Sequence, residues 1–260
     1  MKGSRLAWGL LLAAVLVAVA GAVACTRRGA APGTPVPILM YHRIGDDPND
    51  LWTVPRREFE RQIKSLKTQG YETILPGDLA AGHALPAKPV ILTFDDGYLS
   101  VKTCAEPILQ KYGFHGISYL ITSLVGDTPA DRKQCEGHDC LTWPEVRDIN
   151  ARGVIVFGGH SHQHVHLDQV AHPGTDIKTC FKLLAEKGGF RPDAFCYPFG
   201  VHNRTIMKAV AKAGFTTAMT ADEATADSHN LTLLALPRLW VRGGRTEKGQ
   251  RFPLHDASKP

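Results

Sequence analysis

The chain has 260 residues, 43% of them hydrophobic and 21% charged, with a formal net charge of +5. That balance excludes a disordered chain and suits one large α/β unit or two small domains. The positive residues are spread along the sequence without a basic run, which excludes nucleic acid as a partner.

Lys2 and Arg5 precede an apolar, charge-free run over residues 6–24, and Ala22-Val23-Ala24 places small residues before Cys25. Residues 1–25 therefore read as an export signal. Cleavage after Ala-Val-Ala, lipidation of Cys25 with anchoring to a membrane, and an uncleaved span of 19 residues are the three forms it can take. Each sends the chain to the periplasm or cell envelope. Residues 26–37, rich in Gly, Pro and Ala, form a tether. An exported chain meets an oxidising compartment. Cys135 and Cys140 flank a four-residue polar loop and are expected to form a disulfide. The alternative, a zinc knuckle of Cys135, His138 and Cys140, lacks a fourth ligand. Cys104, Cys180 and Cys196 read as buried thiols.

Residues 37–40 are the first strand, and Phe59, Ile63 and Leu66 then mark a helix stopped by Gly70. Residues 90–94 are a continuous apolar strand. Val101, Ala105, Ile108 and Tyr112 mark a helix that Pro107 kinks or shortens. A strand at 116–121 follows, and then a helix capped by Thr142 with Pro144 in its first turn. Residues 154–157 are a strand. Ile177, Phe181 and Leu184 lie on a helix that stops at Gly188-Gly189. Residues 195–197 are a short strand, and Ile206 and Val210 sit on a helix ending at Gly214. Residues 216–220 and 236–241 are the last strands. This alternation predicts a distorted, incomplete (β/α) barrel with about seven parallel strands, filling residues 38–260. No G-x-G-x-x-G follows the early strands, so a dinucleotide fold has no support. In such barrels the chemistry sits where strands end.

Two strand ends carry unusual residues. Thr93-Phe94-Asp95-Asp96-Gly97 closes a buried strand with adjacent carboxylates, which are costly there unless paired or bound to a cation. Gly158-Gly159-His160-Ser161-His162-Gln163-His164-Val165-His166 packs four histidines into seven residues. His160 and His164 share a spacing of four with His162 and His166, so spacing does not choose the pair. One carboxylate and two imidazoles suit a divalent metal, zinc first, with iron, cobalt or nickel as alternatives. The second carboxylate is then free to act as a base.

The Thr93–Gly97 run and His160-Ser161-His162-Gln163-His164 resemble the first two signature motifs of the polysaccharide deacetylases, carbohydrate esterase family four. The resemblance runs from about Pro37 to Val241 and includes Ile38-Leu39-Met40-Tyr41-His42, Leu141-Thr142-Trp143, Cys196-Tyr197-Pro198-Phe199-Gly200 and Leu236-Pro237-Arg238. It implies a distorted (β/α) barrel and deacetylation of envelope polymers of N-acetylglucosamine. Asp95 would be the general base, and Asp96, His160 and His164 the metal ligands. Tyr197, Pro198, Phe199 and Gly200 would meet the substrate, with a backbone N–H near Tyr197 facing the oxyanion. The family's third motif carries an Arg that orients the base. Here Arg is missing beside Pro198, and Arg238 is expected to replace it, with Arg191 as the alternative. His42 is a candidate acid, and Leu254-His255 matches two letters of the final motif but sits in a polar tail. Trp240 and Tyr98 could stack on sugars or equally pack in the core. Alternatives are an O-deacetylase on a xylan-like polymer, an amidase on a small cyclic amide, which the export signal disfavours, and a non-catalytic metal- or glycan-binding envelope protein. A binder has no use for Asp95.

Overall fold

The computed structural model describes residues 33–47, 50–228, 230–243 and 252–254. The export pattern, most of the tether and His255 lie outside the described residues. Seven strands form the core: β1 Ile38–Tyr41, β2 Pro89–Phe94, β3 Gly116–Leu120, β4 Ile155–Gly159, β5 Ala194–Cys196, β6 Thr217–Glu223 and β7 Leu236–Trp240. Their parallel pairings run β1-β7-β6-β5-β4-β3-β2 and return from β2 to β1, closing a ring one strand short of eight. The short count is the incompleteness expected from the sequence.

Helices α1 Arg56–Thr68, α2 Pro76–Ala81, α3 Glu106–Tyr112, α4 Trp143–Arg152, α5 Pro173–Gly188 and α6 Arg204–Ala213 complete the α/β alternation. Side chains alternate across each strand. Leu39, Leu92 and Phe94 point outward and share one apolar cluster with Phe59, Ile63 and Leu66 of α1. Ile38, Ile91, Ile117, Cys196, Met219 and Leu236 fill the barrel interior. With both faces covered, every residue of β2 is buried, which is why these strands read as unbroken apolar runs. The expected kink at Pro107 appears as a π-helical turn, Val101–Ala105, upstream of α3. Gly158 allows β4 to approach its neighbours, since a Cβ there would lie 2.6 Å from Ala194 O and 2.7 Å from the Tyr119 ring. No helix among the described residues is long and apolar enough to cross a membrane.

The expected disulfide is not present: Cys135 and Cys140 are both buried thiols. The reason is register. Cys135 pairs with His138 across a short antiparallel ladder, while the Cys140 N–H bonds Lys133 O at 2.9 Å, so the cysteines are two rungs apart. Cys135, His138 and Cys140 do not converge as a metal-binding trio either.

The start of α4 is held by Glu145. Its carboxylate accepts Arg132 at 2.8 and 3.0 Å and the Thr142 N–H and hydroxyl at 3.0 Å each. Burial pushes this carboxyl up, but those partners outweigh it and hold it at about 2. A depressed carboxyl stabilises the fold above its ordinary value near 4.5, and that stabilisation is lost as pH falls toward about 2. Glu145→Ala is expected to cost about 2 kcal/mol in urea denaturation at pH 7. The gap to wild type should shrink below pH 4, and a gap unchanged there would refute the assignment.

Candidate active site

The interior-facing residues at the C-terminal strand ends follow from the alternation that places Ile91 inward. Thr93 and Asp95 extend that face from β2, Met40 and His42 do so from β1, Cys196 from β5, and Arg238 and Trp240 from β7. Met40, His42, Asp95, Arg238 and Trp240 meet there in a cavity of about 290 Å³.

Asp95 is 2% exposed and Arg238 1% exposed. Arg238 forks onto Asp95, Nη1 to Oδ1 and Nη2 to Oδ2, both at 2.8 Å. Burial pushes the Asp95 carboxyl up, but the charge and hydrogen bonds of Arg238 outweigh it and hold it well below the usual carboxylate range. A bidentate guanidinium fixes both ionisation and direction. The structure thus places at Asp95 the arginine expected there, Arg238, which enters from a strand 143 residues away. Arg191 is not in the cavity lining.

Asp96 turns out of β2 with φ 70°, followed by Gly97 at φ 72°. A side chain at Gly97 would meet Leu120 Cδ2 at 2.7 Å. The left-handed turn aims Asp96 at the histidine loop, whose Ser161 (φ 62°) and His164 (φ 53°) are also left-handed. Such non-glycine conformations cost about 1–3 kcal/mol each and persist only where surroundings enforce them. Here Asp176 of α5 accepts the N–H groups of His162 and Gln163 at 2.7 and 3.0 Å, and Ser161 Oγ accepts His164 N–H at 2.9 Å.

The loop is not the helical turn that a spacing of four would suggest, yet it brings His160 and His164 together. Their Nε2 atoms lie 3.4 and 3.6 Å from Asp96 Oδ1. Tetrahedral ligands at zinc bond lengths stand about 3.3 Å apart, so these three donors fit around one divalent cation. His160 Nδ1–H donates to Cys196 O at 2.8 Å, which turns Nε2 toward Asp96. Burial pushes His164 down to about 4, so it is neutral at pH 7, the ligating form. His162 and His166 are turned elsewhere: His162 Nδ1 meets Thr122 Oγ1 at 3.0 Å, and His166 stacks on Phe199 at 4.1 Å.

His42 lines the same cavity, and its buried Nδ1 has no partner among the described residues. Burial pushes its pKa down against the pull of Asp95 and Asp96. Tyr197, Phe199 and Gly200 reach the cavity, but Pro198 is buried behind them and does not. The Tyr197 amide is not an oxyanion donor, because it bonds Met219 O at 3.0 Å to continue the sheet. The Gly200 N–H is bonded to Tyr197 O, and proline has none, which leaves Phe199 in this segment. Trp240 and Tyr98 both line the cavity, with Tyr98 at 1% exposure and its hydroxyl accepting from Arg43 at 2.9 Å. Sequence reading missed Trp52, whose ring packs 4.6 Å from His42 and 5.7 Å from Trp240. It lies in a loop with no periodicity to betray it. Glu136, at the tip of the Cys135 hairpin, was missed for the same reason.

Residues 82–218, more than half of the chain, match the family model for polysaccharide deacetylase. The chain is 29% identical to YxkH of Bacillus subtilis over 80% of its own length and 72% of that protein. It is 24% identical to the poly-β-1,6-N-acetyl-D-glucosamine N-deacetylase of Escherichia coli K12, over 78% of this chain but only 36% of the E. coli protein. The Streptococcus pyogenes deacetylase PplD, solved with acetate, superposes with a TM-score of 0.70 at 26% identity, covering 81% of this chain and 93% of PplD. IcaB from Ammonifex degensii superposes with a TM-score of 0.70 at 26% identity, covering 82% and 94%. With the barrel and a strand-end cluster of carboxylates and histidines in place, this chain belongs to the polysaccharide deacetylase family.

Proposed function

We propose that the chain is a divalent-metal-dependent hydrolase that removes N-acetyl groups from an N-acetylglucosamine-containing polysaccharide. The observation that carries this reading is the division of labour between adjacent carboxylates. Asp96 faces two imidazoles at metal-ligand separations, while Asp95 faces an arginine fork. Asp96, His160 and His164 would hold a divalent cation, which when bound would supply Lewis acidity toward the acetyl carbonyl and a water molecule. Asp95, kept ionised by Arg238, accepts the proton of the attacking water. The Phe199 amide donates to the oxyanion. His42, neutral at rest because burial lowers it, takes up the proton that Asp95 accepted and passes it to the departing amine as the carbon–nitrogen bond breaks, giving acetate and a free amino sugar. Names of relatives support the substrate: the E. coli protein is a poly-β-1,6-N-acetyl-D-glucosamine N-deacetylase. Export, with or without lipidation of Cys25, is part of the proposal, because envelope polymers lie outside the cytoplasm.

The test is acetate release from β-1,6-linked N-acetylglucosamine oligomers, chitin oligomers and acetylated xylan, with bound metal measured by mass spectrometry. Release from the N-acetylated oligomers, lost on chelation and restored by zinc, is expected. Release from xylan alone would make the protein an O-deacetylase, and no release from any of them would make it a binder. His42→Gln should lower turnover on N-acetyl substrates about 10²-fold. It should spare an aryl acetate, whose leaving group needs no proton. Equal losses on both would refute His42 as the acid.

A further inference from the structure

Arg238 is fully buried, and a guanidinium carries five N–H donors. Each has an acceptor. Nε–H donates to Thr220 O at 2.8 Å. Nη1 donates to Asp95 Oδ1 at 2.8 Å and to Thr93 Oγ1 at 3.1 Å. Nη2 donates to Asp95 Oδ2 at 2.8 Å and to Cys196 Sγ at 3.1 Å. The Thr93 hydroxyl donates onward to Leu39 O at 2.8 Å, so toward Arg238 its oxygen only accepts. The Cys196 sulfur is therefore the fifth acceptor of a closed set.

The donor atoms of Asp95, His160 and Cys196 also lie within 4.8 Å of one another, a spacing that could hold a metal. A cation there would confront the guanidinium that already occupies both Asp95 oxygens, so this trio is part of the arginine clamp. The Cys196 S–H itself reaches toward Asp95 Oδ2 at 3.6 Å, a long and weak contact beside the fork.

We propose that Cys196 is a positioning residue for the base: its sulfur accepts the last N–H of Arg238 and so fixes the fork on Asp95. An unmatched N–H would let Arg238 rotate to seek another acceptor, and Asp95 would lose its aim. This rests on the reading of Asp95 as base. Cys196→Ser keeps an acceptor, Cys196→Ala removes it, and Cys196→Val removes it while keeping the volume. Turnover of the metal-loaded enzyme is expected to fall about tenfold in the Ala and Val variants with KM and bound metal unchanged, and to recover in Ser. In an Arg238→Lys background, Cys196→Val should cost at most about twofold, since only the thiol's weak direct contact with Asp95 is left to lose. A Val variant with wild-type turnover, or equal losses in both backgrounds, would overturn the proposal. Urea denaturation of the metal-free protein gives the same comparison without a substrate. Cys196→Val should lower the midpoint clearly with Arg238 present and much less with Lys, and equal shifts would overturn the proposal even if the deacetylase reading failed.

Discussion

Asp95→Asn is expected to lower acetate release by about 10³-fold while the protein still binds one metal ion per chain. The amide cannot accept a proton at neutral pH, yet Asp95 is outside the set of Asp96, His160 and His164, and both its oxygens are taken by Arg238. Asp96→Asn should differ. It removes the charge from the cluster of His160 and His164 and should weaken metal retention and turnover together. Metal content and acetate release measured on the same samples separate the two carboxylates. The Asn variant at position 95 also presents an amide group to the guanidinium, so turnover is to be normalised to folded protein. Activity in Asp95→Asn within tenfold of wild type, or metal loss equal to that of Asp96→Asn, would refute the assignment of roles.

The strands and most helices were legible because their signals are local. A strand covered on both faces must be apolar throughout, and α1, α5 and α6 end at Gly70, Gly188-Gly189 and Gly214 as read from sequence. The acidic pair was legible because carboxylates at the end of such a strand need a compensating partner. The histidine pair was not legible from spacing, because left-handed residues at Ser161 and His164 break any helical period. Family resemblance chose the pair, and the geometry agrees. Arg238 could be suspected only as the replacement for a missing arginine, since ring closure joins β7 to β1 and β6 by pairings that no local pattern encodes. The Cys135–Cys140 expectation failed on ladder register, and register is invisible in a loop of four residues. Trp52 and the sulfur of Cys196 were out of reach for a related reason: their roles depend on which neighbours the barrel delivers.

Arg238→Met should be the most destabilising of these substitutions. It leaves Asp95 as an unpaired carboxylate at 2% exposure and removes the donor to Thr220 O. Breaking a buried ion pair by deleting one partner costs about 3–5 kcal/mol. The pH dependence gives the sign. In the wild type Asp95 titrates below its ordinary value, so the pair stabilises the fold at neutral pH and loses that contribution only as pH falls below about 4. In Arg238→Met burial, the largest influence on Asp95, is opposed only by His160 and His42, and the carboxyl rises. Protonation then relieves the variant as pH drops from 7 toward about 4, while the wild type is little changed over that range. The stability gap should therefore be widest near neutrality and narrow on acidification, read by urea denaturation of the metal-free proteins at pH 7 and pH 4.5. Arg238→Lys keeps the charge but not the fork, and its gap should be smaller and nearly flat with pH. A Met gap equally flat would mean that lost packing, rather than an unpaired buried charge at Asp95, sets the cost, and the arginine's claim to hold the base ionised would fail with it.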